Sequence, residues 1–429
     1  MAQPSNAPPT HTVDAASLRI GLYVELDLGW MAHPFPTSSF KISSDKQIET
    51  LRTLGLKKFR IVPEKCDPPT PDPTPAPPPA LSAREAAAAA ALAQRQNQAE
   101  LLRQQQRDLV ACDRRFTDTI RQYKQVIEQI NAQPLQARAQ CSALVAGFVS
   151  ELLGTGDSAI RLLSDGMGDR LAMHPVNVSV LALLLGKYLG MPEAALSELG
   201  LAAFLHDVGK AQVPDRVRWV DDSFSSAEQK AYQEHVAQGV LIGRRMELPG
   251  GVLQAIAQHH EMVDGSGFPA RIKGDAMSQA AKIIALVNRY EDLCNPTRPA
   301  QALTPHEALA LIFAQLKARF DPTVLGAFIR MMGVYPPGSI VQLNDERFAM
   351  VVSVNSSRPL KPRIIVFDSR VAKDDALVLN LEALPELGIR RSLKPASLPR
   401  AAMDYLSPRQ RICYFFERAV DTPLNGVAP

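Results

Sequence analysis

Four apolar residues near the start of the chain, Ile20, Leu22, Val24 and Leu26, alternate with other positions as a half-buried strand requires. Ser44 then opens a helix with Gln47 at the capping-box position, and Gly55 stops it. Phe59 to Val62 reads as a returning strand, so residues 16–66 are expected to form a small α/β domain. Residues 1–15, rich in Pro, Ser and Ala, are expected to be disordered. Prolines dominate 67–80 as a stiff linker. Ser82 with Glu85 then matches a capping box ahead of an Ala-, Gln- and Arg-rich helix over 81–135. Its apolar positions are sparse, which favours a solvated spacer and leaves a homodimer through this helix open.

From 136 to 334 apolar residues recur at three- and four-residue spacing, as at Leu181, Leu184 and Leu185 or Ile283, Ile284 and Val287. This section is expected to be helical throughout. After 335 the period changes. Ile340, Gln342 and the run Ala349 to Val354 flank the turn pair Asn344-Asp345 as a hairpin, with further strands at Arg363–Phe367 and Ala376–Leu381. A short helix from Pro408 to Ala419 is expected to close a β-rich unit over 335–429. The expected fold class is therefore mainly α, with a small α/β domain before the helical one and a β-rich unit after it.

Composition narrows the partners. A net charge of +3 is too small to argue for a DNA or membrane surface. The longest greasy stretch, Val178 to Leu185, is too short for a membrane span, and the opening residues do not resemble a signal peptide. Cys66, Cys112, Cys141, Cys294 and Cys413 are scattered and odd in number, which argues against a disulfide framework or a thiolate zinc site and for a cytoplasmic protein.

Candidate chemistry sits with the histidines. Five of the eight, His174, His206, His235, His259 and His260, fall between 174 and 260 in the helical section, and three of these have a carboxylate neighbour in sequence. Imidazole and carboxylate together suit iron, manganese, zinc or nickel. In LAAFLHDVGK, His206 and Asp207 come at the end of an apolar run, just before a helix-stopping glycine. A carboxylate can bridge two ions, and such a pair can clamp both oxygens of a phosphodiester displacement. Lys210 would neutralise charge on the phosphate. Adjacent His259 and His260 cannot share one helix face, and the turn they need is supplied by Asp264-Gly265 and Gly267-Phe268-Pro269, a loop that can bring backbone N–H groups to a phosphate.

These motifs, in order, resemble the HD-GYP domain: HPVNV, HDVGK, HVAQG, HHEMVDGSGFP and AKIIALVNRYEDL, over roughly half the chain. The opening unit, RIGLYVELD through KKFRIVPEK, also looks like the small domain that precedes such modules in proteobacteria. The resemblance implies an all-helical metal-dependent phosphodiesterase that opens cyclic di-GMP, a bacterial second-messenger enzyme using two divalent transition metals, iron or manganese. It implies His174, His206 and Asp207 as ligands with Asp207 bridging, and His235, His259 and His260 around the second ion. It implies Lys210 and Asp207 in catalysis, and Asp264, Gly265, Gly267, Phe268, Pro269, Arg271 and Lys273 on the substrate side. Three positions depart from the pattern: Phe268 replaces the motif tyrosine, Arg170 stands where a third ion would need glutamate, and Asn288 stands where an aspartate closes the first ion's shell. Asp292, four residues on, is a candidate substitute. The alternative to the enzyme is a degenerate module that binds a cyclic dinucleotide or signalling protein partners without turnover.

Overall fold

The computed structural model describes residues 11–29, 33–69, 83–154, 156–164, 170–220 and 223–418. The chain divides into two compact units, Met1–Ala87 and Ala88–Pro429. The linker prolines beyond residue 69 and the expected cap at Ser82 lie outside the described residues, as does the side chain of Arg170.

In the first unit, β1 (His11–Asp14), β2 (Tyr23–Glu25), β3 (Ser39–Lys41) and β4 (Lys58–Ile61) form an antiparallel sheet in the order β1-β4-β2-β3. Helix α1 (Asp45–Thr53) buries Ile48 and Leu51 with Leu22, Val24, Leu26 and Phe59 in one core. Three expectations change. Disorder through residue 15 gives way at His11, because Val13 pairs with Phe59 and packs on that core. Ile20 falls in a turn and is half exposed, so the alternation begins at Leu22. At the start of α1 the Gln47 carboxamide accepts from the Ser43 amide at 2.7 Å, one residue earlier than a capping box would have it.

The second unit takes in α2 (Ala83–Gln129) from Ala88 onward, followed by α3 (Pro134–Leu153), β5 (Ser158–Leu162), α4 (Arg170–Tyr188), α5 (Glu193–Leu205), α6 (Ser226–Arg245), α7 (Gly250–Gln258), α8 (Gln279–Cys294), α9 (Pro305–Leu311) and α10 (Pro322–Met332). The solvated-spacer reading of α2 fails over its second half. Cys112, Phe116, Ile120, Tyr123 and Val126, at four- and three-residue spacing, form a buried stripe on the main core. Tyr123 meets Phe204 of α5 edge-on at 4.9 Å. The Ala-rich first half has no such stripe and is exposed.

Strand β5 interrupts the helical section. All five of its residues are buried, so no alternation marks it, and five residues are too few to tell a strand from a helix by period. It joins a sheet built from β6 (Ile340–Leu343), β7 (Phe348–Asn355), β8 (Arg363–Val366), β9 (Val378–Asn380), β10 (Ile389–Leu393) and, after helix α11 (Arg400–Leu406), β11 (Tyr414–Arg418). The strand path is β10-β6-β7-β5-β11, with β8 and β9 attached through β7. The closing helix expected from Pro408 is thus wrong: the run Tyr414-Phe415-Phe416 pairs with β5, with Phe415 and Phe416 against Phe148 and Phe415 also against Phe116. One stretch among the described residues, Leu171–Tyr188, is long and apolar enough to cross a membrane; 83% of it is buried inside the fold as the core face of α4.

Candidate metal centre

Six side chains from four helices and one turn converge in the helical section. His174 comes from the first turns of α4, His206 caps the end of α5, and Asp207 opens the short 3-10 turn that follows. His235 lies on α6, and His259 and His260 follow the last turn of α7. All six are buried. Two overlapping groups result, His174, His206 and Asp207, and Asp207, His235, His259 and His260, each with one ligand atom per residue within 4.8 Å of the others.

Glycine makes the convergence possible. A Cβ on Gly209 would stand 1.9 Å from the His235 carbonyl oxygen and 2.5 Å from the Gly239 amide, so the Asp207 turn lies directly against the α6 backbone. Gly209→Ala must push the turn off α6, and we expect a loss of about 3 kcal/mol in urea unfolding, the upper end of overpacking costs. An unchanged midpoint would refute this close approach.

Hydrogen bonds set the tautomers. His206, His235 and His259 each donate Nδ1–H to the carbonyl three residues earlier on the same helix, at 2.7, 2.6 and 2.6 Å. Each therefore presents an Nε2 lone pair to the centre. His235 Nε2 and His259 Nε2 stand 3.3 Å apart, and His174 Nε2 and His206 Nε2 3.2 Å apart. Facing lone pairs repel unless a cation joins them. Burial pushes the His206 and His260 imidazoles below their ordinary pKa, and His235 down to about 3, so these rings are neutral at neutral pH and ready to ligate.

Asp207 spans the two groups. Its Oδ2 lies 3.4 Å from both His174 Nε2 and His206 Nε2, and its Oδ1 lies 3.6 and 3.7 Å from His235 and His259. Although burial opposes ionisation, Lys210 Nζ at 2.6 Å from Oδ2 holds the carboxylate well below the usual range. Lys210 is buried, its ammonium 4.7 Å from the centre of the Trp219 ring, a partner that sequence reading missed. Asp207 Oδ1 and Asn288 Oδ1 are buried and accept no hydrogen bond among the described residues. A ligand-type oxygen without a hydrogen-bond partner beside facing nitrogen lone pairs, as Asp207 Oδ1 is, is what a cation site requires.

A second missed residue is Glu291, three positions beyond Asn288 and buried on α8. One carboxylate oxygen bonds His174 Nδ1; the other accepts from Asn177 at 3.3 Å and Asn295 at 2.8 Å. Both asparagines donate to the Ile412 carbonyl at 2.8 Å, and their own oxygens accept from the Ile412 and Tyr414 amides, also at 2.8 Å. The C-terminal strand segment thereby fixes the His174 ring. Burial opposes protonation of His174, but Glu291 overrides it and raises the imidazole pKa. Partners of this kind typically govern 10- to 100-fold in metal affinity. We expect Glu291→Gln to weaken metal binding by about tenfold or more in a chelator-competition titration while leaving the circular dichroism unchanged. Wild-type affinity in this variant would remove Glu291 from the site. Asp292 also lies within 4.8 Å of His174, on the Glu291 side.

The glycine-containing loop divides into two parts. Phe268 stacks on His260 at 4.5 Å between ring centres, so the phenyl ring in place of tyrosine packs against the cluster. Gly267 admits no side chain, since a Cβ would fall 2.5 Å from the His260 carbonyl. Glu261, buried beside the histidines, accepts from the amides of Ala270, Arg271 and Ile272 at 2.6, 3.1 and 3.2 Å and ties the loop down. Asp264 is exposed and spends its carboxylate on the Ser266 amide, with Gly265 at positive φ beside it. Pro269, Arg271 and Lys273 are exposed, and among the described residues no hydrogen bond joins the side chain of Arg271 or Lys273 to the cluster. The structure thus brings Phe268 and Gly267 to the histidines but not Asp264, Arg271 or Lys273.

Comparison with known proteins places this geometry. Residues 157–324 match the HD domain family. This stretch of the chain resembles the HD domain. Residues 10–141 match a domain of unknown function, DUF3391, and residues 340–401 match a KOW domain associated with HD domain. A cyclic di-GMP phosphodiesterase of Pseudomonas aeruginosa is 29% identical over 55% of this chain and 57% of its own length. A cyclic di-GMP phosphodiesterase response regulator of Xanthomonas campestris is 32% identical over 36% of this chain and 41% of its own. A 3'3'-cGAMP-specific phosphodiesterase of Vibrio cholerae is 28% identical over 42% and 39%. The chain thus spans about half the length of the curated relatives it matches. The His/Asp cluster of the HD domain is suited to binding metal ions.

Proposed function

We propose that the HD domain is a metal-dependent phosphodiesterase that opens cyclic di-GMP to its linear dinucleotide or to GMP, as a second-messenger enzyme. The observation that carries this reading is the pair of facing imidazole lone pairs spanned by one ionised carboxylate, Asp207. His174, His206 and Asp207, with the neutral oxygen of Asn288, would hold one divalent transition ion; Asp207, His235, His259 and His260 would hold the other. Iron or manganese suits these nitrogen and oxygen donors. Two such ions would supply Lewis acidity at the phosphoryl oxygens and lower the pKa of the attacking water.

The chain's own groups do the rest. Asp207 stays ionised because Lys210 faces it, and the same ammonium offers its remaining donors to a phosphate oxygen or leaving group. Phe268 and Gly267 close the His260 side against water, which strengthens each charge interaction inside. The names of the relatives support a cyclic dinucleotide as substrate. The test is metal content together with cyclic di-GMP hydrolysis on the full chain, before chelation, after it, and after reloading with iron or manganese. We expect about two ions per chain, loss of turnover on chelation and recovery on reloading. Metal-loaded protein that leaves the dinucleotide intact would overturn the assignment.

A further inference from the structure

The loop after the histidines does not supply the open space beside Asp207 and Lys210. That space is a cleft of about 410 Å³, and one wall of it is α2, through Tyr123, Lys124, Ile127 and Glu128. Trp219 also lines it, half-buried, with Lys210 over its ring. The volume lies at the small end of ligand pockets, enough for one nucleotide half rather than a whole cyclic dinucleotide. Tyr123 and Ile127 give the wall an apolar stretch, and the Trp219 ring gives it an aromatic edge on which a base can pack.

Charge on this wall is mixed, and that is the informative part. Lys124 suits a phosphate. Arg218 is committed, its Nε donating to the Lys210 carbonyl at 3.2 Å. Glu128 is an exposed carboxylate in a cleft that Lys124, Lys210 and Arg218 also line, with Asp207 already held by Lys210. Beside a phosphate it would be repelled, so the substrate part it suits is one that presents donors. The Watson–Crick edge of guanine offers two, N1–H and the N2 amino group, at the spacing of a carboxylate's two oxygens. Adenine offers an acceptor at N1 and is repelled there.

We propose that α2 forms the base-reading wall of the substrate cleft and that Glu128 accepts both donors of one guanine. This rests on the phosphodiesterase reading for its substrate, but its test does not need turnover. Metal-free full-length protein is titrated calorimetrically with GMP and with AMP, as wild type and as Glu128→Gln, a change at an exposed position. The wild type is expected to bind GMP at least tenfold more tightly than AMP. In Glu128→Gln the preference should shrink about tenfold, because one amide donor now meets a guanine donor, with AMP binding held within about twofold. Equal GMP affinity in both proteins, or a wild type with no preference for GMP, would overturn the proposal. Wild-type hydrolysis of bis(p-nitrophenyl) phosphate, a diester without a base, is measured alongside with metal loaded. Failure there counts against the phosphodiesterase, and failure of the nucleotide titration against Glu128.

Discussion

Asp207→Ala is expected to release both metal ions and to lower kcat/KM on cyclic di-GMP by roughly four orders of magnitude, about 5 to 6 kcal/mol of barrier. Among the described residues Asp207 is the member shared by both groups: one oxygen lies 3.4 Å from His174 and His206, the other within 3.7 Å of His235 and His259. Removing it leaves each ion with neutral ligands alone and strips the shared charge that lets two cations approach each other. It also leaves the Lys210 ammonium buried without its carboxylate partner, a situation that costs about 3 to 5 kcal/mol when the partner of a buried pair is deleted. Double replacement of Asp207 and Lys210 by alanine should therefore recover fold stability without recovering metal. Elemental analysis and urea unfolding on the two variants separate these effects. An Asp207→Ala protein that keeps two ions and turns over substrate would dismiss the bridging role.

How much of this was legible beforehand follows from sequence separation. The donor types at His206-Asp207 and His259-His260 are adjacent in the chain, and each of His206 and His259 is oriented by a carbonyl only three residues away. Local periodicity is enough to place such groups at helix ends. Glu291 is different. Its partner His174 is 117 positions distant, and the Asn177 and Asn295 bridge reaches Ile412 across gaps of 235 and 117. No period or turn signal encodes those contacts. β5 escaped for a related reason: what makes Ser158–Leu162 a strand is pairing with Asn355 to Ser353 on one side and Tyr414 to Arg418 on the other. The stripe on α2 was present in the letters, at Phe116, Ile120 and Tyr123, but its Ala- and Gln-rich first half diluted the pattern over 47 residues.

The cluster and the C-terminal sheet are consequently one structure in energetic terms. The Ile412 and Tyr414 backbone spends four hydrogen bonds on Asn177 and Asn295, the residues that hold the Glu291 carboxylate against His174. Buried networks of this kind are stabilising only when complete, since each orphaned member in a low-dielectric interior carries its full desolvation cost.

Asn288→Asp carries the second large effect, and in the opposite direction. Asn288 is buried on α8 one turn before Glu291, and its side-chain oxygen accepts no hydrogen bond among the described residues. The shape of a ligand is therefore present, but the charge is missing. A neutral carbonyl gives a divalent ion less than a carboxylate does, so the first site should fill less completely than the second. Restoring the carboxylate should raise occupancy of the weaker site and increase kcat/KM by about tenfold, near 1.4 kcal/mol. The same change has a cost without metal. A carboxylate at this buried position, one turn from the buried Glu291 on the same helix, places two like charges in a low dielectric, so metal-free Asn288→Asp should unfold at lower urea than wild type, and manganese should reverse the order. Paired unfolding curves, with and without manganese, test both signs in one preparation. If the variant is less stable under both conditions and no more active, position 288 lies outside the metal shell, and His174, His206 and Asp207 must complete that site another way.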